Sequence, residues 1–562
     1  MRLAIKSDTP AQWPAWNMDW ADQQKPPRAH VGGPAKIRVV ENGPVRVAIE
    51  VARETEGSKF QQTVRLSAGD AGNRVEISNI IDWRTHDANL KATFPLTAAN
   101  PTATYNWDIG TIERGNNDER KFEVPSHQWF DLTDRTRVFG VTILSDCKYG
   151  SDKPDDKTLR LTLLRTPGIG QRAGYADQST QDWGRHEFIY GLAAHSGDYH
   201  RDQTDWHAQR LNQPLIAFNS SKHAGRLGKT FSIVGVNTNR VRVLALKSAE
   251  NTDEVIVRMV ELDGRSAPDV RITFPSALLT AREVNGQEQP VGNASIVKGQ
   301  LVTSLDRFQT RTFAVKFAEP GKKLEPPYWE PLNLPYDLAV ADRDGERMKH
   351  GFDGEGFALP QEMLPETISY EGIVFRLSSK GANAVVPRGQ TIALAPGVRK
   401  LYVLAASAAG DQDVAFRFDG TPVNVKIQNW TGFIGQWDDR QWKQTEVLVQ
   451  PRTPPPDIPP DIAALLQRPR TRRDAYGEMV GITPGFIKRA PVAWFASHRH
   501  TPAGTNEAYA YSYLFAYVID VPANAKNLTL PQNEQVRILA ITASHDRETL
   551  TPAQPLYDML GR

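Results

Sequence analysis

From Lys36 onward, apolar and polar positions alternate with a period of two. Ile37 and Val39 lead to the turn Asn42-Gly43-Pro44, after which Val45, Val47, Ile49 and Val51 interleave with Arg46 and Glu50. Successive strand side chains point to opposite faces, so this spacing predicts a hairpin of half-buried antiparallel strands. The alternation returns at 64–66 and, past the turn Gly72-Asn73, at Val75 and Ile77. It continues over 138–144, 159–164, 241–246, 255–260 and 312–317. No window longer than about ten residues carries a capped apolar stripe of helical period. Many short strands without helices predict an all-β fold, and residues 1–317 are expected to form one large sandwich of two wide sheets.

Pro320, Pro326, Pro327, Pro331 and Pro335 then remove backbone donors and fix φ, which predicts an extended linker over 318–336. Strand patterns resume at 368–377, 391–394, 400–404, 414–418 and 423–427, and again at 492–497, 509–519 and 536–542. A second, jelly-roll-like β-sandwich over 337–550 is expected. Within it, 451–474 reads as a surface insertion: prolines 454–456 and 459–460 precede a short helix at 462–467 and a basic cluster of Arg468, Arg470, Arg472 and Arg473. A charge run of this kind is read as a solvated face. No fixed-period repeat is present.

Charge narrows the choice of partners. Lys plus Arg number 67 against 65 Asp plus Glu, a net +2, so no global field draws in a polyanion and nucleic acid is not an expected partner. Mean hydropathy is -0.47, and no run approaches the roughly 18 consecutive apolar residues of a membrane span. No membrane partner is expected. The single cysteine, Cys147, provides neither an intrachain disulfide nor a cysteine zinc cage, and it fits a bacterial cytoplasm and periplasm equally, which leaves the compartment open. Residues 1–14 carry Arg2, Lys6 and Asp8 and no apolar signal-peptide core. Trp13, Trp16 and Trp20 crowd the start with side chains that need a partner surface, so a truncated beginning is expected.

The 13 Trp, 15 Tyr and 21 Phe suit stacking on sugar rings, although aromatics at this frequency are also ordinary core material. The densest polar constellation runs from Asp146 to Asp198. Its candidate substrate contacts are Asp146, Lys148, Tyr149, Arg165, Asp177, Trp183 and His186, set beside apolar strands at Gly- and Pro-marked turns, where binding residues concentrate. The structural alternative is an Arg165–Asp177 pair organising the sandwich edge.

Specific strings accompany this constellation: ENGPVR at 41–46, IDW at 81–83, LKATFPL at 90–96, FEVPSHQWFDL at 122–132, DCKYG at 146–150, LRLTLLRTP at 159–167, ADQ at 176–178, HEFIYGL at 186–192 and VIVRMVE at 255–261. In this order they resemble the carboxy-terminal β-domain of glycoside hydrolase family 38, the α-mannosidases, in its bacterial and vacuolar-type branch, over about residues 8–317. The second sandwich, with FDGEGFALP at 352–360, FIGQWDD at 433–439 and WFASHRH at 494–500, is similar to the extra tail domain of some bacterial members. The resemblance implies a galactose-mutarotase-like supersandwich and a mannose-containing oligosaccharide as substrate. Retaining glycosidases need two carboxyl groups about 5–5.5 Å apart. The family's nucleophile, its acid/base and its zinc belong to an amino-terminal catalytic domain not readable here. The chain is therefore expected to be a fragment without catalytic residues or a cofactor of its own, whose missing partner is that zinc-bearing domain. The surface it leaves is expected to be unusually apolar.

Local matches to the family's metal motifs are read as accidental. His200-Arg201-Asp202 has the His-x-Asp form but lacks a preceding apolar strand, and His86-Asp87 is similar to a distal motif but is followed by Asn89-Leu90 rather than a Gly-Thr turn. His498 and His500 would share one strand face, a spacing usable by zinc, with no third ligand in view. Sequons at Asn219, Asn293, Asn429 and Asn527 add little. The competing readings are a stand-alone carbohydrate-binding protein using Trp430, Trp437 or Trp442, a scaffold for a separate catalytic chain, and a polysaccharide lyase, against which the motifs argue.

Overall fold

The computed structural model describes the chain apart from residues 15, 169–180, 202, 221–226, 319–327, 347–350, 371, 379–380, 438, 450, 452, 455, 457, 469, 484, 546–550 and 554–562. It is all-β, as the alternation predicts. Two compact units emerge: one of residues 1–216, 224–321 and 440–482, the other of 217–223, 322–439 and 483–562.

The first sandwich is built from fifteen strands: β1 (Arg2–Ser7), β2 (Ala29–His30), β3 (Lys36–Asn42), β4 (Arg46–Thr55), β5 (Ser58–Ser67), β6 (Val75–Trp83), β7 (Ala88–Pro95), β8 (Thr102–Trp107), β9 (Gly110–Gly115), β10 (Val124–Pro125), β11 (Trp129–Thr133), β12 (Phe139–Ser145), β13 (Gly150–Asp155), β14 (Thr158–Thr166) and β15 (Gly184–Ser196). They form a six-stranded sheet, β10-β13-β14-β7-β1-β2, and a nine-stranded sheet, β3-β4-β5-β6-β15-β12-β11-β8-β9. Ile5, Leu90, Phe94 and Leu161 from the smaller sheet meet Ile81, Trp83, Phe130 and Tyr190 from the larger in one buried core.

The larger sheet is wider than its partner, and its β3–β5 edge overhangs. Along β5, Phe60 is buried while Val64 and Leu66 on the same face are exposed. Cross-strand register aligns Val64 with Ile49 and Val39, and Leu66 with Val47, all exposed. The hairpin expected from 37–51 is present, but its apolar face at Val39, Val47 and Ile49 is exposed, with no opposing sheet among the described residues.

The smaller sheet buries charge on the face away from the core. Lys91 and Asp152 are both fully buried and bonded at 2.5 Å; Lys91 also bonds Glu123, and Arg160 Nε donates to Asp152 at 2.6 Å. Composition alone did not indicate this network, because alternating Lys and Asp on a strand normally mark a solvated face.

Residues 1–317 are not one sandwich. A second, smaller one follows: a four-stranded sheet formed by Gly235–Val236, Ala267–Thr273, Gln300–Leu305 and Ser295–Val297, and a five-stranded sheet formed by Val241–Ser248, Val255–Glu261, Thr310–Phe317, Leu278–Val284 and Pro290–Asn293. Val257, Met259, Ile272, Leu301 and Phe313 close a separate core. The expectation failed because alternation reports that a strand has a buried face, without saying which core that face joins.

In the second unit, five strands (Trp329–Pro331, Val536–Ser544, Lys400–Ser407, Asn506–Asp520 and Val492–His500) oppose four (Thr391–Ala393, Asn527–Thr529, Gln412–Phe418 and Thr421–Ile427). Their core includes Leu401, Val403, Phe416, Trp430, Phe515 and Ile541. Two boundaries need correction. The linker expected to reach 336 ends sooner: Trp329–Pro331 pairs with Val536–Ser544, and the Tyr336 hydroxyl donates to the Leu539 carbonyl at 3.0 Å. Proline is admissible there because this strand lies at the sheet edge. The insertion at 451–474 is also part of a larger ribbon, in which Asp439–Val449 pairs with Arg470–Thr483; residues 440–482 belong to the first unit, and the expected short helix is Pro460–Leu466.

Candidate functional site

The sequence-selected residues fall into two groups on the first sandwich. Asp146, Lys148 and Tyr149 lie in the β12–β13 turn. Asp146 accepts the Ile189 N–H at 3.0 Å, Ser145 Oγ bridges the Lys148 backbone, and Lys148 Nζ sits 4.5 Å above the Phe188 ring. Tyr149 is exposed, 6.0 Å from the His127 ring.

Arg165, Trp183 and His186 belong to the rim where β6, β7, β14 and β15 begin or end. Trp183 is buried and packs 4.4 Å from His86, and His186 Nε2 is 2.9 Å from the Asp182 carbonyl. Five residue steps into β15, roughly 16 Å of strand, separate Trp183 from Phe188. Asp177 lies outside the described residues. Arg165 has another partner in any case: its Nε donates to Asp8 at 2.6 Å and its Nη2 donates to the Asn17 carbonyl. Burial pushes the Asp8 carboxyl up, and Arg165 only partly reverses that. Arg165 therefore ties the segment after β1 to the end of β14, a contact across 157 residues that strand patterning cannot reveal.

A polar concavity in this unit was not singled out from the sequence. A cavity of about 410 Å³ opens on the outer face of β8, β9 and β11, walled by Asp198–His200, the turn at 263–265 and Arg307–Phe308. Glu113, Arg137, Asp263 and Arg265 give it charges of both signs, and Tyr199 and Phe308 supply aromatic faces. At its floor, Asp131 accepts hydrogen bonds from Thr133 and Thr142 and lies 2.6 Å from His195 Nε2. The His200 ring lies tilted against Tyr199 with centroids 3.9 Å apart, and its Nδ1 lies 3.8 Å from Asp263. Burial lowers the His200 pKa and raises that of Asp263, each opposed by the other's charge. Mixed donors, acceptors and ring faces are the chemistry that holds a polyhydroxylated ligand. The available signal was the polar run Asp198–His200 directly after a strand end.

The two motif-like histidines have these neighbours among the described residues. His200 faces Tyr199 and Asp263, while Asp202 lies outside the described residues. His86 packs on Trp183, and Arg28 takes the carbonyls of His86 and Asp87. In the second unit, Trp430 is buried and stacked 4.5 Å from Phe352, so it lacks the exposed ring face that the carbohydrate-binding reading needs, whereas Trp437 is 92% exposed; the Trp442 side chain lies outside the described residues.

Successive β-sandwiches of this kind define an all-β, multi-domain chain. Residues 1–169 match the glycosyl hydrolases family 38 C-terminal domain, residues 240–313 match the family 38 C-terminal β-sandwich domain, and residues 328–547 match an AziU2-like β-sandwich domain. The chain thus carries, within residues 1–313, the C-terminal domains of glycosyl hydrolase family 38. Alpha-mannosidase 2C1 of Mus musculus is 28% identical over 329 residues, covering 57% of this chain and 30% of its own length. Alpha-mannosidase G of Dictyostelium discoideum is 26% identical over 333 residues, covering 56% and 28%. The alpha-mannosidase of Saccharomyces cerevisiae is 31% identical over 209 residues, covering 35% and 18%. A crystal structure of a family 38 protein from Enterococcus faecalis aligns at TM-score 0.45 and 18% identity, covering 56% of this chain and 40% of its own. The chain spans about 30% of the length of the first two relatives.

Proposed function

We propose that this chain is the β-sandwich portion of an α-mannosidase, supporting a catalytic domain that hydrolyses α-mannosidic bonds in mannose-containing glycans. The observation that carries this reading is the ordered match to two family 38 C-terminal domains, shared with relatives named alpha-mannosidase. The overhang of β3–β5 supports it further: Val39, Val47, Ile49, Val64 and Leu66 expose an apolar face of the sort a further domain covers. Lys148 and Tyr149 are the candidate substrate contacts best placed to act at a surface, whereas Arg165 and Trp183 are engaged in packing. Zinc would belong to the catalytic domain, and no catalytic step is assigned to this chain.

The test is hydrolysis of an aryl α-mannoside by the purified chain, alone and joined to a family 38 catalytic domain, with zinc and then with chelator. The chain alone is expected to be folded and inactive, and the joined protein active and sensitive to chelator. Chelator-sensitive turnover by the chain alone would overturn the reading. In the joined protein, Lys148→Ala and Tyr149→Ala are expected to raise KM without moving the melting temperature; unchanged kinetics in both would remove the substrate-contact role. Mannan binding by the chain alone, lost on Trp437→Ala, would favour the stand-alone carbohydrate-binding reading instead.

A further inference from the structure

The histidine pair near the end of the second sandwich gains in three dimensions the third ligand that its sequence lacks. His498 and His500 stand two residues apart on Val492–His500 and share a face. Pairing with the next strand shifts register between Ala496 and His498, and Tyr509 opposite the shift adopts φ +63°. Bulges of this kind re-aim side chains. On the other edge, His500 exchanges backbone hydrogen bonds with Ala358 at 3.0 and 3.1 Å, so this end of the strand is held from both sides. The short parallel pair Ala341–Asp342 and Leu359–Pro360 brings Asp342, Asp344 and Glu362 to the same place.

The chemistry there is asymmetric. Asp342 Oδ1 lies 2.7 Å from His500 Nδ1. A carboxylate only accepts, so Nδ1 carries the proton and Nε2 of the neutral ring presents a lone pair. That nitrogen belongs to a side chain only 1% exposed and has no hydrogen-bonded partner. Asp344 Oδ1 is 3.2 Å from it and Glu362 Oε2 is 3.9 Å away, without hydrogen-bond alignment. A buried lone pair facing carboxylate oxygens is repelled unless a cation lies between them. One ligand atom each from Asp344, His498 and His500 lies within 4.8 Å of the others. Ligand atoms sharing a tetrahedral zinc ion at about 2.0–2.2 Å stand about 3.3 Å apart, close to the Nε2–Oδ1 separation observed.

We propose that Asp344, His498 and His500 bind a zinc ion, with Glu362 as a neighbouring oxygen donor. Two imidazoles and a carboxylate suit zinc among the common divalent ions, and Asp342 on the far nitrogen of His500 is the carboxylate that orients a ligating imidazole. Asp344 is itself positioned: its Oδ1 accepts from Asn506 Nδ2 at 2.9 Å, and its N–H donates to Glu362 Oε1 at 2.8 Å. The ion joins segments more than 150 residues apart in sequence and clamps the 341–344 crossing to the sheet. All of these residues fall within the AziU2-like match at 328–547, outside the two family 38 domains, so this site is separate from the zinc of a catalytic domain.

The experiment uses the untagged full chain, stripped with chelator and titrated with zinc alone against a chromophoric competitor, with melting followed in parallel. One equivalent of zinc is expected to bind and raise the melting temperature. His498→Ala and Asp344→Ala, at positions less buried than His500, are each expected to weaken zinc at least roughly tenfold while melting like the stripped wild type. Cobalt in place of zinc is expected to give visible absorption bands that both variants lose. His30→Ala, an exposed histidine in the other unit, is expected to change nothing. Absence of a stoichiometric site in the wild type, or retention of wild-type affinity by both variants, would overturn the proposal.

Discussion

Lys91 gives the sharpest test of how the first sandwich is held together. Its ammonium is fully buried, bonded to Asp152 at 2.5 Å, to Thr162 Oγ1 at 3.0 Å and to Glu123. Lys91→Met keeps much of the side chain's length and removes the charge. Asp152 then retains Arg160 and Asn117 on Oδ1 but loses the cation on Oδ2. Stripping one partner from a buried ion pair costs about 3–5 kcal/mol. For a domain of this size that corresponds to roughly 6–20 °C in melting temperature. The pH dependence adds a second signature. Burial raises the Asp152 pKa, but Lys91 and Arg160 more than reverse this and hold it below the ordinary carboxylate value. Burial lowers the Lys91 pKa, and Asp152 and Glu123 more than reverse that in turn. A depressed carboxyl stabilises above its unfolded pKa and loses that contribution as pH falls through the folded one; a raised lysine stabilises below its unfolded pKa and loses that contribution as pH rises through the folded one. The wild type should therefore draw full benefit from the Lys91–Asp152 pair across neutral pH. In Lys91→Met the carboxylates lack their cation, so the deficit should be largest near pH 8 and shrink towards pH 5. Calorimetry across that range, with Asp152→Asn and the double variant, is the assay. The double variant is expected to lose less than the sum of the singles, because the two residues share one contact. A loss below about 1 kcal/mol, or strict additivity, would refute the reasoning.

Arg165→Ala should leave the fully buried Asp8 carboxylate without its cation and cost about 3–5 kcal/mol. Urea denaturation reads this directly, and an unchanged midpoint would return Arg165 to the list of surface candidates. Asp205 accepts a hydrogen bond from Trp129 Nε1 at 3.1 Å, and its carboxyl is pushed up to about 6, chiefly by burial. Unfolded it loses its proton near pH 3.9, so between about 4 and 6 the folded chain binds the extra proton and gains stability as pH falls. Asp205→Asn keeps the acceptor and removes the charge, so it should be more stable than the wild type by about 3 kcal/mol at pH 7.5 and converge with it below about pH 4. A pH-independent difference between the two proteins would contradict the assignment.

Strand existence was legible in the chain because the period-two signal is local: Val45–Val51 and Val255–Val260 each display their buried face within a few residues. The motif strings carried the family assignment for the same reason, each lying within one strand or turn. Partnership was not local. Arg165 bonds Asp8 across 157 residues, and Asp344 meets His500 across 156, so no window of sequence contains either pair. The exposure of Val39, Ile49 and Val64 was hidden as well, since alternation marks an inward face whether or not an opposing sheet covers it. Burial of Lys91 and Asp152 reversed the usual meaning of charge on a strand, because both faces of the smaller sheet are covered. The sequence by itself determined that the chain is β, where its strands run and that its first part resembles the family 38 C-terminal domains, since these depend on contiguous residues. Only the tertiary structure decided that 1–317 holds two cores, that one sheet overhangs the other, and that Asp344 lies beside His498 and His500, because those are outcomes of which strands pair.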